Sequence, residues 1–259
     1  MLKLGGSVVT DKNKPFTPKI DVIKRLAREI ADSEISSLIL IHGGGSFGHP
    51  LAKKYQLNIG FRNPLQLLGF SETHTAMVSL NLLIVKSLIE ERIPAFSLSP
   101  STLFVTKNGR IYAFEDETLK KALKLGLVPV LYGDVTLDSE TGFAILSGDQ
   151  IAGFLAVKLG AELIIMGVDV NGLYTEDPKS KPSAKFIPHL TLKELEKLCG
   201  GLGGSKFPDV TGGMGSKILE LVSPIRQGTR ALIVNALIPG NIRNALKGEP
   251  SIGTEITEE

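Results

Sequence analysis

Ile41-His42-Gly43-Gly44-Gly45-Ser46-Phe47-Gly48-His49-Pro50 completes the apolar run Leu38-Ile39-Leu40-Ile41, which Ser36, Ser37 and His42 flank. That run predicts a buried strand. Three consecutive glycines and a fourth three residues on then leave the backbone bare. Bare N–H groups can close on an anion, and a following helix would add its positive end. His49 ends the loop as a titratable donor. The simplest reading is a phosphate cradle beneath a histidine. Gly43, Gly45 and Gly48 also satisfy the dinucleotide pattern G-x-G-x-x-G, but that pattern wants an acid about 20 residues later, after a second strand. Pro64 to Phe70 offers neither strand nor acid. A purely structural tight turn stays open. A Walker A loop is excluded, because no Gly-Lys-Ser/Thr occurs.

Outward from this loop the chain alternates strands and helices. Leu2-Lys3-Leu4 reads as a very short strand running into Gly5-Gly6-Ser7, a second candidate phosphate loop bracketed by Lys3 and Lys12. Because the chain opens inside this strand, a few residues are expected to precede it. Pro18 to Glu34 carries Ile20, Ile23, Leu26, Ala27 and Ile30 at helical spacing. It links two strands into a β-α-β unit. Pro50 to Gln56 reads as a short helix, Asn58 to Phe70 as a loop punctuated by glycine and proline, Gly69 included, and Ser71 to Glu91 as a long helix with cap residues at its start. Phe61, Phe70, His74, Met77 and Val78 could wall an apolar pocket, although His74 alone reads as a satisfied or half-buried histidine. Hairpins are expected around Asn108-Gly109 and around residues 138–142. Asp149, in Ser147-Gly148-Asp149, reads first as a helix N-cap that could also orient lysines. A third glycine turn, 212–215, precedes Lys217 and a helix that Pro224 should bend or stop. The alternation predicts an α/β fold, a three-layer αβα sandwich with helices on both faces of a mainly parallel central sheet.

The 259 residues suffice for one large domain or two small ones, and 42% hydrophobic with 22% charged residues is ordinary globular composition. A net charge of +2 is too small to argue for nucleic acid or a membrane surface. A single cysteine, Cys199, permits no intrachain disulfide. With no signal peptide or long apolar run, this points to a cytoplasmic setting.

Glycine turns, lysines, a loop histidine and a helix-start acid are what phosphoryl transfer needs, since its catalysis is mostly positioning and electrostatics. Lys3-Leu4-Gly5-Gly6-Ser7, His42 to Gly45, Ser147-Gly148-Asp149, Asp169 to Pro178 and Thr211 to Lys217 resemble, in this order, the amino acid kinase family. The resemblance covers essentially the whole chain. Lys12 after Val8-Val9-Thr10-Asp11, and Ser46-Phe47-Gly48-His49, are similar to its isopentenyl phosphate kinase branch. What the resemblance implies is a single domain, residues 1–259, with an acceptor-phosphate lobe (about 1–146) and an ATP lobe (about 147–259). Catalysis would fall to Lys3, Lys12, His49, Asp149 and Lys217. The acceptor, isopentenyl phosphate, would lie on Gly44, Gly45, His49, Gly133 and Asp134. ATP would lie on Lys3, Gly5, Gly6, Ser7, Asp169, Tyr174, Asp177, Pro178, Gly213 and Lys217. Mg²⁺ would accompany it with ligands unassigned, and the family implies a homodimer. The implied product is isopentenyl diphosphate, made in the alternative branch of the mevalonate route. A fosfomycin kinase-like phosphonate kinase and a non-catalytic nucleotide-binding sensor are the competing readings.

Overall fold

In the computed structural model, which describes residues 1–176, 181–198 and 214–259, the central strands send alternate side chains into two separate cores. Leu40, Val130, Tyr132 and Ile165 face one, while Ile41, Leu131, Ile164 and Met166 face the other. A period of two in fully buried strands means that both faces of the sheet are covered. Helices Ile20–Asp32, Leu65–Glu90 and Asn241–Lys247 close the first face. Helices Gly148–Leu159 and Gly215–Arg226 close the second. The three-layer sandwich expected from the sequence is what forms.

Among the described residues the main sheet has eight strands in the order His189–Thr191, Gly253–Thr257, Arg230–Asn235, Leu163–Val168, Leu2–Leu4, Leu40–His42, Val128–Tyr132, Ala95–Ser97. Only the Arg230–Asn235/Gly253–Thr257 pair is antiparallel. Leu2–Leu4 lies between strands from the two halves of the chain, so one sheet runs through both. The order reverses at this strand, and loops leaving the carboxyl ends beside such a reversal form a natural ligand crevice. The two expected hairpins form and join through a parallel pairing of Phe104–Lys107 with Asp134–Asp138.

Three helix starts differ from the sequence reading. Gly45–Lys54 begins inside the glycine loop, with Pro50 in its interior. A proline there leaves the carbonyl four residues back unpaired. The N–H of Phe16 takes that Ser46 carbonyl at 3.1 Å, which pins the loop carrying Lys12 to this helix. Leu65–Glu90 starts six residues earlier than expected, and Gly69 is no breaker. A Cβ there would stand 2.3 Å from the Tyr55 ring. Gly148–Leu159 is capped by Ser147, whose Oγ accepts the Gln150 N–H at 3.1 Å, so Asp149 is not the cap. Pro224, for its part, does not stop Gly215–Arg226.

Candidate active site

Lys3 stands between Leu2 and Leu4, which face the first core, so strand alternation turns its side chain to the second. Its register neighbours there, Ile41 and Met166, are apolar. An ammonium buried among them requires a counter-charge. Asp149 supplies it from the first turn of Gly148–Leu159, with Nζ 2.6 Å from Oδ1. Lys217, in the first turn of Gly215–Arg226, reaches Oδ2 at 3.3 Å. One carboxylate therefore holds two lysines from two other elements. Burial pulls the Lys3 pKa below its ordinary value against the pull of Asp149. Burial would raise the Asp149 carboxyl, but Lys3 and Lys217 outweigh it and hold it below the usual range.

The two glycine turns touch. A Cβ at Gly6 would lie 2.4 Å from the Gly45 nitrogen, and one at Gly45 (φ +47°) would lie 2.0 Å from Thr10 Oγ1. Thr10 ties the loops together, accepting the Ser46 N–H at 3.0 Å and donating to the Gly6 carbonyl at 2.7 Å. Several glycines are thus required by loop-to-loop packing. Gly44 and Gly45 still contribute to a cradle: they open a helix, and their N–H groups have no hydrogen bond among the described residues. Gly5 donates to the Gly167 carbonyl at 2.8 Å. That places the Gly6-Ser7 turn beside Asp169, which follows strand Leu163–Val168. Lys12 meets Asp169 at 3.1 Å. Burial would raise the Asp169 carboxyl, but the hydrogen bond and charge of Lys12 carry it below its ordinary value.

His49 sits on the first helical turns beyond the glycines and is exposed. Partial desolvation, then the charges of Lys217 and Lys3, hold its pKa below the ordinary value, with Lys12 adding to them and Asp149 opposing. Lys3, Asp149 and Lys217 thus form one cluster of direct contacts, Lys12 pairs separately with Asp169, and His49 feels the charges of Lys217, Lys3, Asp149 and Lys12. His42 is different: buried, 3.2 Å from Asn81 Oδ1, and kept neutral by burial with a pKa of about 4.

Gly133 donates to the His42 carbonyl at 2.9 Å and stands beside the start of the Asp149 helix. Asp134 is not a free ligand. Its Oδ2 is 2.8 Å from His74 Nδ1 and its Oδ1 accepts the Val135 N–H at 2.8 Å, so what it can offer a ligand passes through His74. The expected apolar wall divides. Met77 is buried with its sulfur against Gly44 and Gly48, and Phe61 and Phe70 pack edge-on to Phe143, while Val78 points outward. Tyr174 lies in the short strand Leu173–Tyr174 against Phe186. Asp177, Pro178 and Gly213 lie outside the described residues.

Thr10 and Ser147 were given no site role by the sequence, and His74 was read only as a possible pocket wall, not as the partner of Asp134. Ser147 had a legible signal, since Ser147-Gly148-Asp149-Gln150 fits the S-x-x-Q start of a helix. Thr10 and His74 gain meaning only through contacts remote in sequence. Among the described residues no group of three or more His, Cys, Asp or Glu could hold a metal ion. Asp149 and Asp169 are each engaged by lysines. The described residues do not fit a protein-held magnesium ion.

The amino acid kinase family model matches residues 1–235. The isopentenyl phosphate kinase of Methanothermobacter thermautotrophicus is 41% identical over 99% of this chain and 98% of its own. That of Methanocaldococcus jannaschii is 39% identical over 99% and 97%. A solved isopentenyl phosphate kinase structure superposes with a TM-score of 0.86 at 37% identity, covering 98% of both chains. On this agreement of motif order, fold and full-length similarity, the chain belongs to the amino acid kinase family.

Proposed function

We propose that the protein transfers the γ-phosphoryl group of ATP directly, in line, to isopentenyl phosphate, giving isopentenyl diphosphate and ADP. The observation that carries this is the Lys3–Asp149–Lys217 cluster facing two helix N-termini and His49. In-line transfer spreads negative charge over equatorial oxygens, which fixed lysines and N–H donors stabilise without reorganising. Asp149, neutralised by two lysines, orients them and is not a base. None is needed, because a phosphate monoester has its second pKa near 6 and its oxygen is already ionised at neutral pH. The acceptor phosphate rests on the N–H groups of Gly44 and Gly45 and on His49, with Gly133 nearby. Its apolar tail runs toward Met77, Phe70 and Phe143, because a prenyl chain offers no hydrogen bonds and must be held by shape. ATP spans Gly5, Gly6, Ser7, Asp169, Tyr174 and Lys217, with Asp177, Pro178 and Gly213 completing its site. Magnesium would accompany ATP, neutralising phosphate charge, with no described protein carboxylate assigned to it.

The N-terminal half is thus the acceptor lobe and the C-terminal half the ATP lobe. No helix among the described residues is long and apolar enough to cross a membrane, and a cytoplasmic role suits the single cysteine. Val78, Leu82 and Ile89 form an exposed stripe on the long helix near the edge strand Ala95–Ser97, and this face supports a homodimer.

Coupled ADP release with isopentenyl phosphate, fosfomycin, acetylglutamate and UMP tests the reading. A kcat/KM for isopentenyl phosphate at least about a hundredfold above the others, roughly 3 kcal/mol of discrimination, is expected. Preference for fosfomycin would replace the acceptor. ATP binding without any turnover would favour the sensor.

A further inference from the structure

The hairpin Phe104–Lys107/Arg110–Phe114 lies outside the phosphate loops, yet its turn holds both helices that present the central charges. Gln150, buried and adjacent to Asp149, accepts the Ile111 N–H at 2.8 Å through Oε1 and donates to the Gly109 carbonyl at 3.0 Å through Nε2. Arg110, between those two residues, donates to both carboxylate oxygens of Glu220 from its two terminal guanidinium nitrogens, at 2.5 and 3.0 Å. Glu220 is three residues beyond Lys217 on the same helix, one turn away and on the same side. Where the two helices cross they nearly touch: a Cβ at Gly153 would stand 2.3 Å from the Glu220 carbonyl oxygen. The turn itself is fixed, because Asp138 accepts the N–H groups of Asn108 and Gly109.

Isolated surface ion pairs add little, but a planar two-point Arg–carboxylate pair fixes orientation as well as distance. Such orientation matters here, because the Lys217–Asp149 contact is long at 3.3 Å and misplacing a catalytic charge by about 1 Å can cost a hundredfold in rate. We propose that Arg110, Glu220 and Gln150 are positioning residues: the hairpin turn clamps the Asp149 and Lys217 helices in register, so that Lys217 meets the phosphoryl group. The proposal rests on the kinase reading above and adds to it the residues that aim its lysine.

The test is a double-mutant cycle between Arg110→Met and Lys217→Met. It is followed by kcat with ATP and isopentenyl phosphate, by calorimetric ATP affinity and by thermal melting. Arg110→Met should lower kcat at least tenfold and weaken ATP binding about fivefold. In the Lys217→Met background it should change neither by more than twofold. The exchanged pair Arg110→Glu/Glu220→Arg should recover most of the loss. Losses that add fully on Lys217→Met, a change confined to the melting temperature, or no effect would each overturn the clamp. If the unaltered protein fails to turn over isopentenyl phosphate, the proposed function falls, while the ATP-affinity cycle still decides the clamp.

Discussion

Lys3 carries a charge through the middle of an apolar strand, and its cost and its use can be separated. Removing one partner of a buried ion pair is costly because it leaves the other charge uncompensated, a cost that falls away where a second partner remains. Lys3→Met leaves Asp149 paired with Lys217. Melting should therefore change little, while kcat should fall by about 10²–10³, the scale of losing one preorganised charge donor. Joint loss of stability and activity would make Lys3 a structural residue. His49→Ala should reduce kcat/KM by a similar factor at unchanged stability, with partial recovery in His49→Gln, which keeps an N–H donor. Full activity in the alanine variant would remove His49 from the acceptor site. Asp134 gives a pH prediction. Burial lifts its carboxyl from an ordinary 3.8 to about 6, against the opposing pull of His74 and the Val135 N–H. The folded state then holds this proton at pH values where the unfolded chain has released it. Stability from this group is complete below about 4 and is lost as pH rises through about 6, on the order of 3 kcal/mol in all. Asp134→Asn should gain on the unaltered protein by up to that amount between pH 4.5 and 7.5 in urea titrations. Parallel stability curves would show that the carboxylate ionises at no cost.

The elements show what one sequence can and cannot disclose. The strand before the glycines, the amphipathic helix Ile20–Asp32 and the Asn108-Gly109 turn were legible, because periodicity and turn chemistry are local. Both turn residues have the positive φ that such hairpins require. Gly69 misled, because a glycine that admits a ring and a glycine that breaks a helix look alike in sequence. Gly6 and Gly45 were read first as anion donors, with a purely structural turn left open at Gly45. Their contact with each other, across almost forty residues of chain, is a property of the fold. Asp149 was assigned a cap that Ser147 provides, and that freed the carboxylate for the lysines. Gly6→Ala is the test at this scale. With under 3 Å between the added methyl and Gly45 backbone atoms, the loops must part. Activity should fall at least tenfold and stability by roughly 1–3 kcal/mol, the usual cost of overpacking. Native activity in this variant would mean that the loops need not touch.

Across the whole molecule, the strand order converts scattered residues into one crevice. Lys3, the Gly43–Gly45 turn, Gly133 and Asp169 lie at or beyond strands that are neighbours in the sheet, and parallel strands bring their carboxyl ends to one side. The order of motifs along the chain was legible from resemblance. That Asp149 could orient lysines was legible too, but the pairing of Lys12 with Asp169 instead and the pinning of the Lys12 loop through the Ser46 carbonyl were not, since both depend on contacts between segments remote in sequence. The central claim is that phosphoryl passes directly between two phosphates held by these charges, with His49 donating a hydrogen bond and never carrying the group. The stereochemical course of transfer tests it most directly. With ATP made chiral at the γ-phosphorus by oxygen isotopes and sulfur, and with isopentenyl phosphate as acceptor, the product should show inversion, the mark of a single in-line displacement. Retention would mean two displacements through a phosphorylated enzyme group and would contradict the account, as would the absence of any phosphorylated product.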